Sequence, residues 1–299
     1  MLRSLQAQEE TGWEAVVVDD GEGEAIDRVA AIGDPRITAR RNDGRGQADA
    51  RIAAIAAATG DLVAWLDDDD WWDDPHHLSL LREAALARPA SFFFRGGWIV
   101  DDAGARETYD LDATADSLRE NNTVLTSSIA YPRRLHDELG PLDATLGGYC
   151  DWDFMLRMCD AGIIPYRLPG LGVAYVVHST NASTEYDAPE RLANFERFRG
   201  KHGLDVQIAN HVLIHRMLGT SVPEGWAEVD GALQREFELE TFPAAISFVD
   251  RVAELAEAEN HHPEIAVSYR DVTLRWRTHS ADAITDRDRD MAARSAALV

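Results

Sequence analysis

Two short apolar runs that end in aspartate most constrain what this chain can fold into. Ala15–Val18 leads into Asp19-Asp20-Gly21, and Leu62–Leu66 leads into Asp67-Asp68-Asp69-Asp70. Brief apolar runs bounded by turn signals read as buried strands. Helix-prone, Ala-rich sequence lies between them at 46–59, and more follows from Pro75 to Ala87, where Pro75 suits a first helical turn. This strand–helix rhythm predicts an α/β domain with a Rossmann-like, mostly parallel sheet. Ligands bind such sheets beyond the carboxyl ends of the strands, where both acidic groups fall.

The texture changes at 219–225, a Gly/Ser/Pro cluster that reads as a linker between residues 1–218 and 226–299. Beyond it, Leu233, Phe237 and Leu239 alternate with Gln234, Glu236 and Glu238, as in a half-buried strand. Thr241 and Pro243 open a helix whose apolar face carries Ile246, Val249, Val252 and Ala256. Val272, Leu274 and Trp276 mark a second strand, and Thr285 with Asp286 and Asp288 starts a last helix. Strands and helices without parallel crossovers predict an α+β domain.

Charge narrows the function. The chain has 53 Asp and Glu against 29 Lys and Arg, a formal net charge of −24, and Lys201 is its sole lysine. That surface repels a phosphate backbone and an anionic membrane, so nucleic acid is not an expected partner. The longest apolar stretches fall far short of a membrane span. Two cysteines, Cys150 and Cys159, make no disulfide framework, and the N-terminus lacks a secretory core. The expectation is a soluble cytoplasmic protein.

Four consecutive aspartates cannot all be ionised without a counter-charge, and hard oxygen ligands at a strand end suit Mg²⁺ or Mn²⁺ held with a substrate phosphate. A solvated acidic turn is the plainer reading of the same letters. Position favours the first, because LVAWL precedes the run and Trp71-Trp72 follows it.

The segments EAVVVDDGEGE, GRGQADARIAAIAAATGDLVAWLDDDDWW and SSIAYPRRLHDELGPLDATLGGYCDWDFMLRM resemble, in order, the family 2 glycosyltransferases of GT-A fold. The resemblance covers about residues 1–200. It implies inverting transfer of a sugar from a nucleotide-sugar donor to an acceptor, with a divalent metal held by Asp67 and Asp69. It also implies a nucleoside contact at Asp19 or Asp20, a donor contact at Arg51, a catalytic base at Asp151, and His178 near metal and phosphate. The sequence opens at MLRSLQAQ, after the place of the family's VSVIIPTYN-type strand, which implies a truncated start, another segment in that place or an impaired site. Ile52, Cys150 and Val176 replace the family's usual Asn, Glu and Arg.

Residues from Gly225 onward resemble pterin-4a-carbinolamine dehydratase, chiefly through His261-His262-Pro263 and Thr278-His279. The resemblance implies a pterin site formed by His261, His262 and His279 beside Trp226, dehydrating 4a-hydroxytetrahydrobiopterin without metal or organic cofactor. Imidazoles suit the acid and base tasks of water loss. Zinc is a weaker reading of the three histidines, because adjacent His261 and His262 lack helical i, i+4 spacing. The resemblance further implies self-association, so an alternative role is a homo-oligomerisation scaffold bearing a binding-only transferase domain.

Overall fold

A computed structural model describes residues 1–101, 103–178, 188–209, 211–214, 222–278, 284 and 286–299. The chain forms two compact units, Met1–Glu107 with Ala113–His211, and Thr108–Asp112 with Val212–Val299.

In the first unit, three successive valines give β1 (Ala15–Asp19) its β-branched run. It pairs in parallel with β2 (Ile37–Arg41) across the helix Glu24–Ile32. The helix Gly46–Ala57 then leads to β3 (Leu62–Ala64). The remaining strands of this part of the chain are β4 (Trp71–Trp72), β5 (Ser91–Val100), β6 (Arg106–Tyr109), β7 (Ala130–Pro132) and β8 (Ile164–Val176). A second sheet runs in the order β3-β7-β5-β8-β4.

The expected mostly parallel pairing holds in the longest ladders of this unit, and shorter antiparallel pairs make the second sheet mixed. β1–β2 and β5–β8 are parallel, whereas β3–β7, β5–β7 and β4–β8 are antiparallel. Parallel neighbours need a long, usually helical crossover. Here β4 follows β3 after the short segment 65–70, and β7 follows β6 after residues 110–129, whose helical pieces are two 3₁₀ turns. The segment 65–70 runs from β3 at one end of the strand order to β4 at the other. Its backbone is tied to the turns between, with Trp65 N donating to Ile129 O at 2.9 Å. The aspartates therefore lie across strand ends.

β5 and β8 approach closely at a bulge, where a Cβ on Gly97 would lie 1.9 Å from the Val173 carbonyl oxygen. Trp65, Phe92, Phe94, Tyr131 and Phe154 are central to the core. Fully buried Asp153, on the helix Cys150–Asp160, fastens the helix Pro189–His202. It accepts from Lys201 Nζ and His202 Nε2, each at 2.8 Å, and from Arg157 Nε at 2.9 Å. Burial works to raise its pKa, but the bonds from His202 and Lys201 outweigh it and hold the carboxyl at about 2. Lys201 also reaches Asp143 at 2.8 Å.

The second unit carries an antiparallel sheet in the order β11-β12-β10-β9, built from β9 (Ala227–Val229), β10 (Ala232–Glu238), β11 (Glu264–Ser268) and β12 (Asp271–Trp276). The helix Phe242–Glu259 begins where Thr241 Oγ1 accepts from Ala244 N at 3.2 Å, with Pro243 in its first turn. It ends at Asn260, in the left-handed region at φ 51°. The helix Asp286–Ala296 follows β12. Leu233, Phe248, Val252, Leu274 and Trp276 form the centre of this core. No helix among the described residues is long and apolar enough to cross a membrane.

Candidate active sites

The crossing segment gives the four aspartates four different surroundings. Asp67 Oδ1 accepts from Arg51 Nη2 at 2.6 Å, and its backbone N–H donates to Ser127 Oγ at 3.0 Å. Arg51 comes from the helix Gly46–Ala57 and lies over the Trp65 ring, 4.9 Å from its centroid. Asp68 is exposed. Asp69 Oδ2 lies 3.1 Å from His178 Nε2. Burial and the charge of Asp67 raise the Asp69 pKa, against the bond from His178. Asp70 is fully buried, accepting from Ser127 Oγ and, at 2.8 Å, from Val176 N. Burial pushes its carboxyl up to about 8, against the bonds from Ser127 and Val176.

At the end of β1, Asp19 and Asp20 divide the work. Asp19 is buried and accepts from Gly21, Gly23 and Ala25 backbone N–H groups at 2.8, 3.3 and 2.8 Å, fixing the turn into the helix Glu24–Ile32. Asp20 is exposed and accepts from Asn42 Nδ2 at 2.6 Å and Gly46 N at 2.9 Å.

Asp151 stands in the first turn of the helix Cys150–Asp160 and is buried. Its carboxylate accepts from Thr126 Oγ1 at 3.0 Å and from Trp152 N at 2.6 Å. Burial raises its pKa; the Arg51 charge and these two bonds oppose the rise. Arg51 thus acts on both Asp67 and Asp151. Cys150 is fully buried, and burial pushes its thiol up to about 11, which suits a packing residue rather than a nucleophile.

Sequence reasoning missed His211. Its Nε2 lies 2.9 Å from the Val124 carbonyl, its ring meets Tyr175 edge-on at 5.4 Å, and burial lowers its pKa against the opposing charge of Asp151. A carbonyl only accepts, so Nε2 carries the proton. It missed Thr126 and Ser127 too, although three successive hydroxyl residues between Leu125 and Ile129 were a visible anomaly in an apolar stretch.

Among the described residues, no three His, Cys, Asp or Glu side chains gather into a metal-holding group. A divalent ion bound jointly with a diphosphate needs only one or two protein carboxylates. Asp69, lifted by burial and by Asp67, beside the His178 ring nitrogen, fits that need.

In the second unit, left-handed Asn260 turns the chain inward, and His261 N donates to Ala256 O at 3.0 Å. The buried His261 ring stacks on Trp276 at 5.4 Å, and its Nε2 lies 2.7 Å from Asp288 Oδ1. Asp288 Oδ2 accepts from Thr278 Oγ1 at 2.8 Å. His262 turns outward and pairs with exposed Glu257 at 3.0 Å. Trp226 is buried edge-on to Phe237 at 5.8 Å, its indole N–H without a hydrogen-bond partner among the described residues. His279 lies outside the described residues.

Known proteins give these two regions their families. Glycosyl transferase family 2 matches residues 1–129, and pterin 4 alpha carbinolamine dehydratase matches residues 209–298. A Picosynechococcus protein carrying the name pterin-4-alpha-carbinolamine dehydratase is 45% identical over 67 residues, 22% of this chain and 73% of that protein. A Mycolicibacterium vanbaalenii protein so named is 43% identical over 83 residues, 27% of this chain and 89% of that protein. The structure of S. aureus TarS 1-349 in complex with UDP-GlcNAc superposes with a TM-score of 0.54 at 14% identity, covering 73% of this chain and 68% of that one. That likeness is one of fold. The chain belongs to the pterin-4a-carbinolamine dehydratase family through its C-terminal region, while residues 1–129 match the glycosyl transferase family 2 model and the N-terminal region has a GT-A-like fold. Both are families of enzymes.

Proposed function

We propose that the N-terminal unit transfers a sugar from a nucleotide-sugar donor with inversion, using Asp151 as the base. The observation that carries this reading is Arg51, whose charge acts on the aspartate run and on a buried, burial-raised carboxylate. A raised carboxylate is a better proton acceptor near neutral pH. Asp151 would take the acceptor hydroxyl's proton as that oxygen attacks the sugar carbon and the bond to the diphosphate breaks. Asp69 and His178, with Asp67 alongside, would hold Mg²⁺ or Mn²⁺, which when bound supplies positive charge to the departing diphosphate. Arg51 orients Asp67, and Asp19 or Asp20 would meet the nucleoside; exposed Asp20 is the more accessible. Transfer assays on wild type, Asp151→Asn and Asp69→Ala test this. Turnover that survives Asp151→Asn sinks the base, and turnover that survives both EDTA and Asp69→Ala sinks the metal site.

The C-terminal unit is proposed to dehydrate 4a-hydroxytetrahydrobiopterin. The supporting observation is the His261–Asp288 contact. An ionised carboxylate accepts from Nε2–H, leaving Nδ1 as the proton-exchanging atom. The C4a–O bond breaks with a proton delivered to the leaving hydroxyl, and the ring N–H proton passes to a base. His262, His279 and Trp226 would complete the pterin site, with no further cofactor. Full dehydratase activity in a His261→Ala/His279→Ala variant would overturn the assignment.

A scaffold role has its own support. Phe242, Ile246, Val267 and Tyr269 are exposed on the second unit, and Val267 lies on the terminal strand β11. Self-association through this unit would cover them. Light scattering of the full chain with Val267→Lys should show a smaller assembly; an unchanged mass counts against this surface. Cys150 and Cys159 are free thiols, which supports a reducing, cytoplasmic setting.

A further inference from the structure

We propose that the buried turn Thr126–Ser128 is the positioning element of the transfer site, setting the Asp151 carboxylate and the aspartate run as one piece. The proposal rests on the reading of Asp151 as the base.

Residues 124–127 make contacts in three directions. Thr126 Oγ1 donates to Asp151 Oδ2 at 3.0 Å. Ser127 Oγ accepts from Asp67 N at 3.0 Å and donates to Asp70. The Ser127 carbonyl accepts from Trp72 Nε1 at 2.8 Å, and the Val124 carbonyl from His211 Nε2 at 2.9 Å. A serine hydroxyl has one proton to give, so the Ser127 donor is fully used on Asp70. One oxygen therefore fixes the backbone of Asp67 and the side chain of Asp70. The neighbouring residue fixes the base.

Burial argues that these hydroxyls are kept for their partners. Thr126, Ser127 and Ser128 are 8%, 0% and 1% exposed, and a buried hydroxyl without a bond costs about 1–3 kcal/mol. Ser128 supplies an internal contrast. Its Oγ donates only within the turn, to Leu125 O at 2.7 Å. It closes the turn, while Thr126 and Ser127 reach outward.

Asp151 is faced by Arg51 from the helix Gly46–Ala57, by His211, and by Cys150 and the Trp152 N–H on its own helix. Thr126 faces it too, and its hydroxyl donor can be removed without changing a formal charge. Its hydrogen bond favours the ionised carboxylate, so its loss moves the Asp151 titration upward.

The experiment compares Thr126→Val, Thr126→Ser, Ser128→Ala and Asp151→Asn in the full chain. Carboxyl ¹³C NMR follows the Asp151 titration, assigned by its disappearance in Asp151→Asn, beside kcat and donor KM against pH. In Thr126→Val the Asp151 midpoint and the acidic limb of kcat should both move to higher pH. The turnover kcat should fall about ten- to hundredfold with little change in donor KM. Thr126→Ser should restore all three; Ser128→Ala should lower the melting temperature and leave the Asp151 midpoint in place. An unmoved midpoint in Thr126→Val, or a loss that Thr126→Ser does not rescue, overturns the proposal. Full turnover in Asp151→Asn overturns the base reading instead, whatever the NMR midpoint does.

Discussion

His261 and Asp288 meet inside the C-terminal core, ring nitrogen to carboxylate at 2.7 Å, and the carboxylate has no exposed surface. Asp288→Asn keeps the shape and removes the charge that holds the imidazole. Dehydration should slow by at least about tenfold, with the Thr278 contact and the fold retained. A dehydration assay beside circular dichroism checks both halves; wild-type rates would detach Asp288 from the chemistry.

Arg51 should behave as a shared counter-charge. Arg51→Met leaves Asp67 without its 2.6 Å partner and removes the largest influence favouring ionised Asp151. A base must be ionised, so the acidic limb of the rate profile should move to higher pH while donor affinity weakens. An unmoved limb with weaker donor binding would confine Arg51 to the donor.

Asp153 should matter to stability and show it through pH. Its folded pKa of about 2 lies below the ordinary carboxylate value of about 3.9. A depressed pKa stabilises the fold above the unfolded value, and that stabilisation is lost as pH falls through the folded one. Asp153→Asn should cost about 3 kcal/mol at neutral pH, as for a broken buried ion pair. The gap to wild type should narrow below about pH 4 and close near pH 2. Denaturant melts across that range measure it.

Gly97→Ala tests the β5–β8 contact. The added methyl would stand 1.9 Å from a backbone oxygen, which cannot swing aside like a flexible side chain. The melting temperature should drop by more than about 4 °C. A neutral result would mean that the bulge shifts easily.

Periodicity carried much of this far into the sequence. The alternation at Leu233–Leu239 and Val272–Trp276 returns as β10 and β12, and Thr241 caps its helix. The aspartate run resisted reading because four identical letters received four environments, set by how the segment crosses the strand ends. Asp70 is internal with its carboxyl pushed up by burial, whereas Asp69 faces His178, and no local pattern separates them. Asp288 reads as a helix-start acid, yet it shares the buried face of Met291, Ala292 and Ser295 at spacings of three, four and seven. A carboxylate on an apolar stripe was the available signal. Sheet direction was legible in the two longest ladders of the first unit, β1–β2 and β5–β8, and not in β4 and β7, whose antiparallel pairs are too short to carry a periodic signal.

The single lysine gives the protein an unusual chemical handle. Lys201 holds Asp153 and Asp143, and those carboxylates outweigh its partial burial and raise its pKa. Acylating reagents attack the neutral amine, so coupling at this side chain should be slow while the helix Pro189–His202 stays docked. A completed reaction would cut two ion pairs at once. Lysine-directed dyes or resins would therefore select loosened molecules, whereas the rate of Lys201 acylation would serve as a clock for local opening of that helix.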